Sequence, residues 1–321
     1  MDRVNRLVGL LYDRKGQAVS LREASSAAGV SHGGLEKLWV LIAQRGHQLE
    51  FTPAGVRLAV PTVLDAYLIE RDLGVRRVGR NVICFSEAES TNDLAADCAA
   101  QAGADGLAVL AEWQRRGRGR LGRRWISPPR ANVLMSVLLI DPREALPHEA
   151  LTIAAGLAVA EGIDRTVSLP CRLKWPNDVL LEGRKTAGVL VELRRRRNKR
   201  CVVVGVGINV NAAPPEGQVD SPATCLREHA GEPLERTEIV RGVLRRLDYW
   251  VGRLEAGELE GLHSAWRPRC EMINQRVVIA SAATGRLAGR VLDVDPLEGL
   301  ILCDDQGRRH HLPACGSTVV G

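Results

Sequence analysis

Apolar residues recur at helical spacing through the first part of the chain, and glycine turns interrupt them. Residues 4–11 place an apolar side chain every three or four positions, which predicts a helix. The capping box Ser20-Leu-Arg-Glu23 begins a second helix, and apolar positions within 35–42 give a third helix its buried face. Two short β-like runs follow. This order of helices and hairpin predicts a winged helix-turn-helix DNA-binding domain over residues 1–62.

The third predicted helix carries the candidate DNA contacts, which are Ser31, His32 and Lys37. Its acidic Glu36 repels phosphate, and two glycines weaken its start. Residues 1–60 contain eight Arg or Lys and five Asp or Glu, so their net charge is only 8 − 5 = +3. A small helical adaptor without DNA contacts is therefore the alternative interpretation of this segment.

Strand-like and helical patterns alternate after a helical connector over residues 63–80. The alternation over residues 81–270, with helical patterns through 94–100 and over 147–161 and 239–254, predicts a mixed α/β (α+β) domain. Beyond it, short β-like runs are separated by turns such as Asp295-Pro296 and Gln306-Gly307. So few short strands predict a small closed β-barrel domain over residues 271–321.

The composition argues against several classes of protein. Lys and Arg number 44 and Asp and Glu 38, so the formal net charge of +6 fits either anionic substrates or nucleic acid. The eight cysteines include no C-x-x-C pair, which argues against a zinc site or a disulfide framework and favours a reducing compartment. The charged amino terminus lacks the apolar region of a signal peptide, and the apolar stretch 151–160 is too short to span a bilayer. We therefore expect a cytoplasmic protein with no membrane partner.

Residues 112–125, here called the glycine–arginine loop, place alternating glycine and arginine between Trp113 and Trp125. Glycine lets backbone N–H groups approach a ligand closely, and the planar arginine fork suits carboxylate and phosphate oxygens. We expect this loop to be loose when empty and to become ordered around a polyanion. A solvated basic loop, or a nucleic-acid-binding arginine–glycine segment, is the alternative.

Three further clusters carry candidate binding groups. Ser90-Thr91-Asn92 offers three hydrogen-bonding side chains at a strand-to-helix junction, where an ordinary N-cap is the simpler interpretation. Lys174-Trp-Pro-Asn-Asp178 precedes Lys185 and predicts a turn whose side chains can contact a ligand or Mg²⁺. Glycines within the strand pattern 204–211 indicate close approach of a ligand or another backbone, although a lone G-x-G is a weak signal.

In this order the clusters resemble those of the bifunctional biotin–protein ligase/biotin-operon repressor family, and the resemblance extends over the whole chain. Its most specific parts are the Gly117–Trp125 segment and the motif 174–178. The resemblance implies that residues 81–270 have the fold shared with class II aminoacyl-tRNA synthetases. It also implies that biotin and ATP react to biotinyl-5′-adenylate and pyrophosphate. Biotin then passes to a lysine of the biotin carboxyl carrier domain of acetyl-CoA carboxylase.

The resemblance further implies roles for the residues that match the family motifs. Those implied to bind biotin are Ser90, Thr91, Asn92, Gln114, Gly117, Arg118, Gly119, Arg120, Lys185, Gly188, Gly205 and Gly207. Those implied to bind the nucleotide, with its Mg²⁺, are Arg120, Arg123, Trp125, Asn177, Asp178 and Asn209. Lys185, Arg118 and Arg120 are implied to be catalytic, because bringing two anions together requires cationic stabilisation. The motifs do not identify ligands for the metal.

Some features depart from the family pattern. Leu121 stands where the repressor type often has another arginine, and the third helix lacks the basic pattern expected of a repressor. A repressor that binds biotin-operon DNA as a ligand-promoted homodimer is therefore one expectation, and a ligase whose winged helix serves only structure is the other. The basic run 194–200 has no family counterpart. We interpret it as a solvated hairpin tip, with an auxiliary nucleic-acid contact as the alternative.

Two rival functions differ in the chemistry that they require. A lipoate ligase on the same catalytic fold would bind a dithiolane, whereas the Ser-Thr-Asn and Gln114 set suits a ureido group. A DNA-binding repressor that senses biotin without ligating it would not need Lys185 or the two loop arginines. The retained residues therefore favour the ligase.

Overall fold

The computed structural model describes residues 2–141, 144–196, 199–281 and 285–320. These residues include nine α-helices, three short 3₁₀ helices and fourteen β-strands, joined by turns and irregular segments. The mixed α/β character predicted for the central part of the chain is confirmed. Within the described ranges, no helix is both long and apolar enough to cross a membrane.

The N-terminal part consists of three helices and a two-stranded hairpin, in the order that the sequence predicts. They are α1 (Arg3–Asp13), α2 (Leu21–Ala28), α3 (His32–Gln44), β1 (Leu49–Thr52) and β2 (Gly55–Leu58). The side chains of Asp2 and Ser20 accept backbone N–H groups at the starts of α1 and α2, and Gly29 takes the left-handed conformation that ends α2. The apolar faces form a core of their own, joined by Leu68 from the connector helix α4 (Ala66–Glu70).

A seven-stranded sheet forms the centre of the molecule, and its strand order is β3-β4-β5-β9-β8-β7-β6. Only β3 and β4 run parallel; the other neighbours are antiparallel. The strands are β3 (Val82–Phe85), β4 (Ala108–Ala111), β5 (Val133–Ile140), β6 (Arg172–Lys174), β7 (Asp178–Leu181), β8 (Arg184–Arg196) and β9 (Lys199–Ile208). In this order β8 and β9 lie beside β5, so their glycines and the end of β7 come together on one part of the sheet.

Five helices accompany this sheet: α5 (Thr91–Asp97), α6 (His148–Ile163), α7 (Leu226–Ala230), α8 (Arg236–Glu255) and α9 (Leu259–Trp266). Helix α6 is buried on nearly every side because it contacts both the sheet and α8. The two helices cross closely at Gly162, where a Cβ atom would lie 2.8 Å from the backbone nitrogen of Val243. The sequence pattern predicts α6 and α8 but neither α7 nor α9.

The C-terminal part is a five-stranded antiparallel sheet of order β13-β12-β11-β10-β14. Its strands are β10 (Arg276–Ser281), β11 (Gly285–Asp295), β12 (Gly299–Cys303), β13 (Arg309–Leu312) and β14 (Ser317–Val319). The predicted closed barrel is not confirmed, because β13 and β14 lie at opposite edges of an open sheet in the described residues. Around β14, the chain contacts the central part of the molecule instead: Glu149 accepts the backbone N–H of Ala314, at 2.8 Å.

A buried ion pair connects α8 with the end of β4. The Arg236 guanidinium donates to both carboxylate oxygens of Glu112, at 2.5 and 3.1 Å, and both side chains are less than a tenth exposed. The same carboxylate accepts the backbone N–H of Leu64 at 2.8 Å, and Arg236 also donates to the carbonyl of Thr62 at 3.2 Å. The connector, the central sheet and α8 therefore share one charged junction.

We expect Arg236→Met to lower the free energy of unfolding by about 3–5 kcal/mol, because it leaves the Glu112 carboxylate buried without its counter-charge. Urea denaturation followed by circular dichroism measures the change. Arg57→Met is the matched control, since Arg57 pairs with Glu50 where both side chains are about half exposed. Equal unfolding free energies of the two variants would show that the buried ion pair contributes no more to stability than the exposed one.

Candidate functional site

A cavity of about 560 Å³ lies where β5, β8 and β9 meet the glycine–arginine loop and the C-terminal sheet. It is lined by the predicted small-molecule residues Ser90, Thr91, Asn92, Gln114, Arg118, Gly119, Arg120, Arg123, Trp125, Asn177, Asp178, Lys185, Gly188, Gly205, Gly207 and Asn209. Gly117 does not line the cavity. Four separate clusters of the sequence therefore converge on one space.

One end of the cavity is neutral and polar. Gln114 Oε1 accepts the Thr91 backbone N–H at 2.7 Å and lies 3.1 Å from the Thr91 hydroxyl. Behind them, Ser136 on β5 lies 2.7 Å from Thr91 Oγ1 and 2.5 Å from Asn92 Oδ1. Ser90, Thr91 and Asn92 are all buried, so the start of α5 is more than an ordinary exposed N-cap.

Arg118 lies close to this end of the cavity, where two carboxylates bind its guanidinium and balance its charge. Its guanidinium donates to both oxygens of Asp93, at 2.6 and 2.7 Å, and more weakly to Glu192 at 3.4 Å. These hydrogen bonds and charges raise the pKa of Arg118 above its ordinary value. The charge of Arg118 is thus balanced within the protein before any ligand arrives.

Arg120 has a different environment. Its guanidinium donates to the backbone carbonyls of Ala314 and Ser317 and lies 3.4 Å from Asn177 Oδ1, so its hydrogen-bonding partners are uncharged. Burial lowers the pKa of Arg120, although the Asp178 carboxylate opposes this effect. An anion that entered the cavity would find here a cation that no carboxylate neutralises directly.

Lys185 lies at the same end of the cavity as Arg120. Its Nζ atom is 2.6 Å from Asp178 Oδ1 and 5.7 Å from the centre of the Trp125 ring. Asn177 is fixed beside it, since Asn177 Nδ2 donates to the Val189 carbonyl at 2.6 Å. The cavity therefore has a neutral hydrogen-bonding end and a cationic end.

The glycines of β8 and β9 make room for protein side chains that line the cavity. Gly188 pairs with Gly207 across the two strands, and the Trp125 indole lies on both. A Cβ atom at Gly207 would be 2.4 Å from Trp125 Cε2, and one at Gly205 would be 2.4 Å from Asn92 Oδ1. The sequence predicts close approach at these positions, and the closest neighbours in this structure are Trp125 and Asn92.

The glycine–arginine loop is described throughout and folds back on itself. The Gly119 N–H donates to the Arg123 carbonyl at 2.7 Å, and the Trp125 N–H donates to the Gly117 carbonyl at 2.9 Å. Leu121 takes a left-handed backbone conformation at the exposed tip. Ion pairs of Arg115 with Glu87, Arg116 with Glu89, and Arg123 with Asp220 balance charges around the loop. Whether ligands order the loop further stays a prediction.

Asn209 is a buried residue of the cavity wall. Its Nδ2 donates to the Thr224 carbonyl at 3.1 Å, whereas its Oδ1 has no hydrogen-bond partner in the described part of the chain. The hydrogen bond to Thr224 fixes the orientation of the Asn209 amide. Its Oδ1 atom, which can only accept a hydrogen bond, is therefore left for a ligand. The sequence did not predict the wall segment 214–223 or the contribution of Thr318 and Val319 from the C-terminal sheet.

Two side chains behind the cavity were also not predicted from the sequence. Ser136 is the one hydroxyl in the apolar run of β5, and Glu192 is the one acid in the apolar run 189–193. An isolated polar residue within a buried strand was the signal available for both. The basic run 194–200 lies partly outside the described residues; within them, Arg194 pairs with Glu192 and Arg200 with Glu144.

The predicted DNA contacts lie on the exposed side of α3. Ser31 precedes the helix, His32 begins it, and Lys37 follows one and a half turns later. Apolar side chains are exposed in this part of the molecule as well: Val40 of α3 is 56% exposed, and Phe51 of the hairpin is 63% exposed.

No cluster of three or more His, Cys, Asp or Glu side chains that could hold a metal ion occurs in the described ranges. Asp178 is an acidic side chain of the cavity wall, and it is paired with Lys185. One carboxylate fits Mg²⁺ that is bound mainly by substrate phosphates, rather than a metal held by the protein alone.

Comparisons with known proteins agree on one family. Residues 84–209 match the model of the biotin/lipoate A/B protein ligase family. A biotin–[acetyl-CoA-carboxylase] ligase of Mycobacterium tuberculosis is 35% identical, over 81% of this chain and 96% of the relative. A bifunctional ligase/repressor BirA of Bacillus spizizenii is 28% identical, over 94% of this chain and 93% of the relative. The structure of a biotin protein ligase from Aquifex aeolicus in complex with biotin and ATP covers 75% of this chain and 99% of its own, at 26% identity and a TM-score of 0.66.

The attachment of the C-terminal sheet should depend on pH through His148. The Glu149 carboxylate, 3.8 Å from His148 Nδ1, raises the pKa of His148 above its ordinary value of 6.5. A raised pKa in the folded state stabilises the protein below the unfolded pKa, and this stabilisation is lost as the pH rises through the folded value. We therefore expect wild type to exceed His148→Gln in unfolding free energy more at about pH 5.5 than at about pH 8.5.

Urea titrations of both proteins at the two pH values test this expectation. His32→Gln serves as the control, since His32 is exposed at the start of α3 and forms no ion pair with the residues that the structure describes. A stability difference that grows with pH would contradict the assignment to His148.

Proposed function

The chain belongs to the biotin/lipoate A/B protein ligase family, and on this basis we propose that it is an ATP-dependent biotin–protein ligase that acts through biotinyl-5′-adenylate. The observation that carries the proposal is the polarity of a single cavity. Thr91 and Gln114 supply neutral hydrogen-bonding groups at one end, and Arg120 and Lys185 supply positive charge at the other. Biotin has the same polarity, with a neutral ureido ring and a carboxylate.

The first reaction joins two anions. A carboxylate oxygen of biotin attacks the α-phosphorus of ATP, an O–P bond forms, and the bond to the β-phosphate breaks as pyrophosphate leaves. Negative charge accumulates between carboxylate and phosphate, so stabilising cations contribute more than proton transfer. Lys185 and Arg120 supply this charge at the cationic end. Lys185 exchanges its ion pair with Asp178 for the phosphate oxygens as they arrive.

Arg118 acts from the loop beside the ureido end. It is already paired with Asp93 and Glu192, so it orders the loop over biotin and contributes less free charge than Arg120. Closure of the loop by Gly117, Gly119 and Arg118 keeps water from the mixed anhydride. In the second reaction the lysine amine of the carrier attacks the biotinyl carbonyl, and AMP leaves.

The nucleotide lies toward Trp125, Asn177, Asn209 and Arg123 in this proposal. Asn209 Oδ1, which only accepts, suits the exocyclic amino group of adenine. The flat surface of Gly188 and Gly207 holds the Trp125 indole, whose ring face can pack against a base. Mg²⁺ would arrive with the phosphates of ATP, with Asp178 as the available protein carboxylate, and would supply charge neutralisation of the departing pyrophosphate.

A lipoate ligase is the nearest alternative within the family, and the polar end of the cavity distinguishes the two. A dithiolane ring has no N–H or carbonyl group to pair with Thr91 and Gln114, so those groups would be left without partners in a buried site. Two of the proteins named above, the Mycobacterium tuberculosis ligase and the Aquifex aeolicus ligase, act on biotin by their names, and the first is named as an acetyl-CoA-carboxylase ligase. We propose the same carrier, the biotin carboxyl carrier domain, which places the reaction in the cytoplasm.

The proposed domains follow these roles. Residues 81–270 form the catalytic domain with the fold shared by class II aminoacyl-tRNA synthetases, and 271–321 form a small β-domain that completes the cavity. Residues 1–62 form a winged helix-turn-helix, attached through the connector 63–80. A relative that covers 94% of this chain, and therefore most of this segment, is named a bifunctional ligase/repressor. We therefore propose a second role as a repressor that binds biotin-operon DNA as a ligand-promoted homodimer through Ser31, His32 and Lys37.

We expect Lys185→Ala to bind biotin within a few-fold of wild type and to release pyrophosphate about a hundredfold more slowly in the presence of biotin and ATP. The reason is that its charge acts where negative charge accumulates. Lys15→Ala, far from the cavity in the N-terminal part, is the matched control. Pyrophosphate release at the wild-type rate by Lys185→Ala would remove Lys185 from the catalytic role.

Binding of the protein to duplex DNA from a biotin-gene promoter tests the repressor role by fluorescence anisotropy, with biotin and ATP present. We expect affinity to fall steeply with salt, and Lys37→Ala to weaken binding and reduce the salt slope by about one. Arg276→Ala, on an exposed strand of the C-terminal sheet, is the control. Absence of any sequence preference at low salt would favour a purely structural winged helix.

A further inference from the structure

Four side chains form a hydrogen-bonded chain behind the neutral end of the cavity. Asn92 Nδ2 donates to Glu192 Oε2 at 2.6 Å, and Asn92 Oδ1 lies 2.5 Å from Ser136 Oγ. Ser136 Oγ lies 2.7 Å from Thr91 Oγ1, which lines the cavity. Ser136 is fully buried and Asn92 almost so, so water does not compete for these contacts.

The protons in this chain can be placed by counting donors and acceptors. An ionised carboxylate only accepts, so Asn92 turns its NH₂ group to Glu192 and its oxygen to Ser136. That oxygen also only accepts, and it therefore takes the single proton of Ser136. The Thr91 hydroxyl has two acceptors within reach, Ser136 Oγ at 2.7 Å and Gln114 Oε1 at 3.1 Å. Since Ser136 has given its only proton to Asn92, the shorter contact takes the Thr91 proton. Each step follows from the charge at Glu192.

The same count determines what the cavity offers to a ligand. The Thr91 hydroxyl has given its proton to Ser136, so its remaining lone pair faces the cavity as an acceptor. Gln114 receives the Thr91 backbone N–H at its Oε1, so its Nε2 is a donor. An adjacent acceptor and donor complement the N–H and C=O groups of a cyclic urea.

We propose that Ser136 and Glu192 are positioning residues that fix the Thr91 hydroxyl as an acceptor and thereby make the site require a ligand N–H group at Thr91. This inference rests on the proposed biotin ligase function. Neither residue lines the cavity. Ser136 acts through Thr91, and Glu192 acts through Asn92. The guanidinium groups of Arg118 and Arg194 lie 3.4 and 3.0 Å from the Glu192 carboxylate.

Two variants test whether the direction of these hydrogen bonds, rather than the packing of the side chains, determines which ligand groups the site accepts. Ser136→Ala removes the group that takes the Thr91 proton, so the hydroxyl can rotate and donate. Glu192→Gln keeps an acceptor of the same shape but can also donate, so the chain can run in either direction. Thr152→Val is the matched control, because it removes a buried hydroxyl that donates to the His148 carbonyl within its own helix α6.

The test is calorimetric binding of biotin and of two biotin analogues, cyclic carbamates in which one or the other ureido N–H is replaced by a ring oxygen. Wild type should reject one analogue by on the order of a hundredfold relative to biotin, since its oxygen would face the Thr91 lone pair. Ser136→Ala and Glu192→Gln should each reduce this ratio by about tenfold. Thr152→Val should keep the wild-type ratio, and the ratio does not depend on overall stability.

The outcomes distinguish the two levels of inference. If wild type binds biotin but the ratio is unchanged in Glu192→Gln, and in Ser136→Ala where that variant folds, the positioning role is wrong and the ligase proposal stands. If wild type binds no biotin, the proposed function itself fails and the positioning role fails with it. A reduced ratio in either variant, with the control unchanged, supports the role.

Discussion

The rest of the structure depends on the buried pair of Glu112 and Arg236. Glu112 ends the strand that leads to Gln114, so its position determines where the glycine–arginine loop begins. The same carboxylate holds Leu64 of the connector, and Arg236 anchors the start of α8 to it. A buried charge tolerates little displacement from its partner, because the lost interaction is not replaced by water. One ion pair thus positions the N-terminal part, the long helix and the entrance of the loop together.

The cavity uses charge in two ways. Arg118 is neutralised by Asp93 and Glu192, whereas Arg120 is held by the carbonyls of Ala314 and Ser317. Carbonyl dipoles orient a guanidinium without cancelling its charge, so Arg120 keeps more of its attraction for an incoming anion. Two arginines in one short loop therefore have different tasks, and their partners distinguish them.

The parts of this structure that could be predicted from the sequence depend on contacts between residues close together in the chain, whereas the other parts depend on contacts between residues far apart in it. Helical spacing, capping residues and glycine turns act over a few residues, and they predicted α1 to α3, α5, α6 and α8. The residue motifs predicted which clusters would line the cavity, with Gly117 as the exception. Ser136 and the segment 314–319 could not be placed, because each acts on residues distant in sequence. The C-terminal strands were expected, but their open order and the contacts of the chain around β14 with Arg120 and Glu149 join residues far apart in sequence.

The anchoring of Arg120 has a consequence for synthesis of the protein on the ribosome. The hydrogen bond from Arg120 to Ala314 spans 194 residues of sequence. The glycine–arginine loop therefore emerges from the exit tunnel long before its carbonyl acceptors exist. Until then the nascent chain presents an arginine cluster lacking these acceptors, close to ribosomal RNA, which attracts cations. The loop acquires its final surroundings only at a late stage of translation.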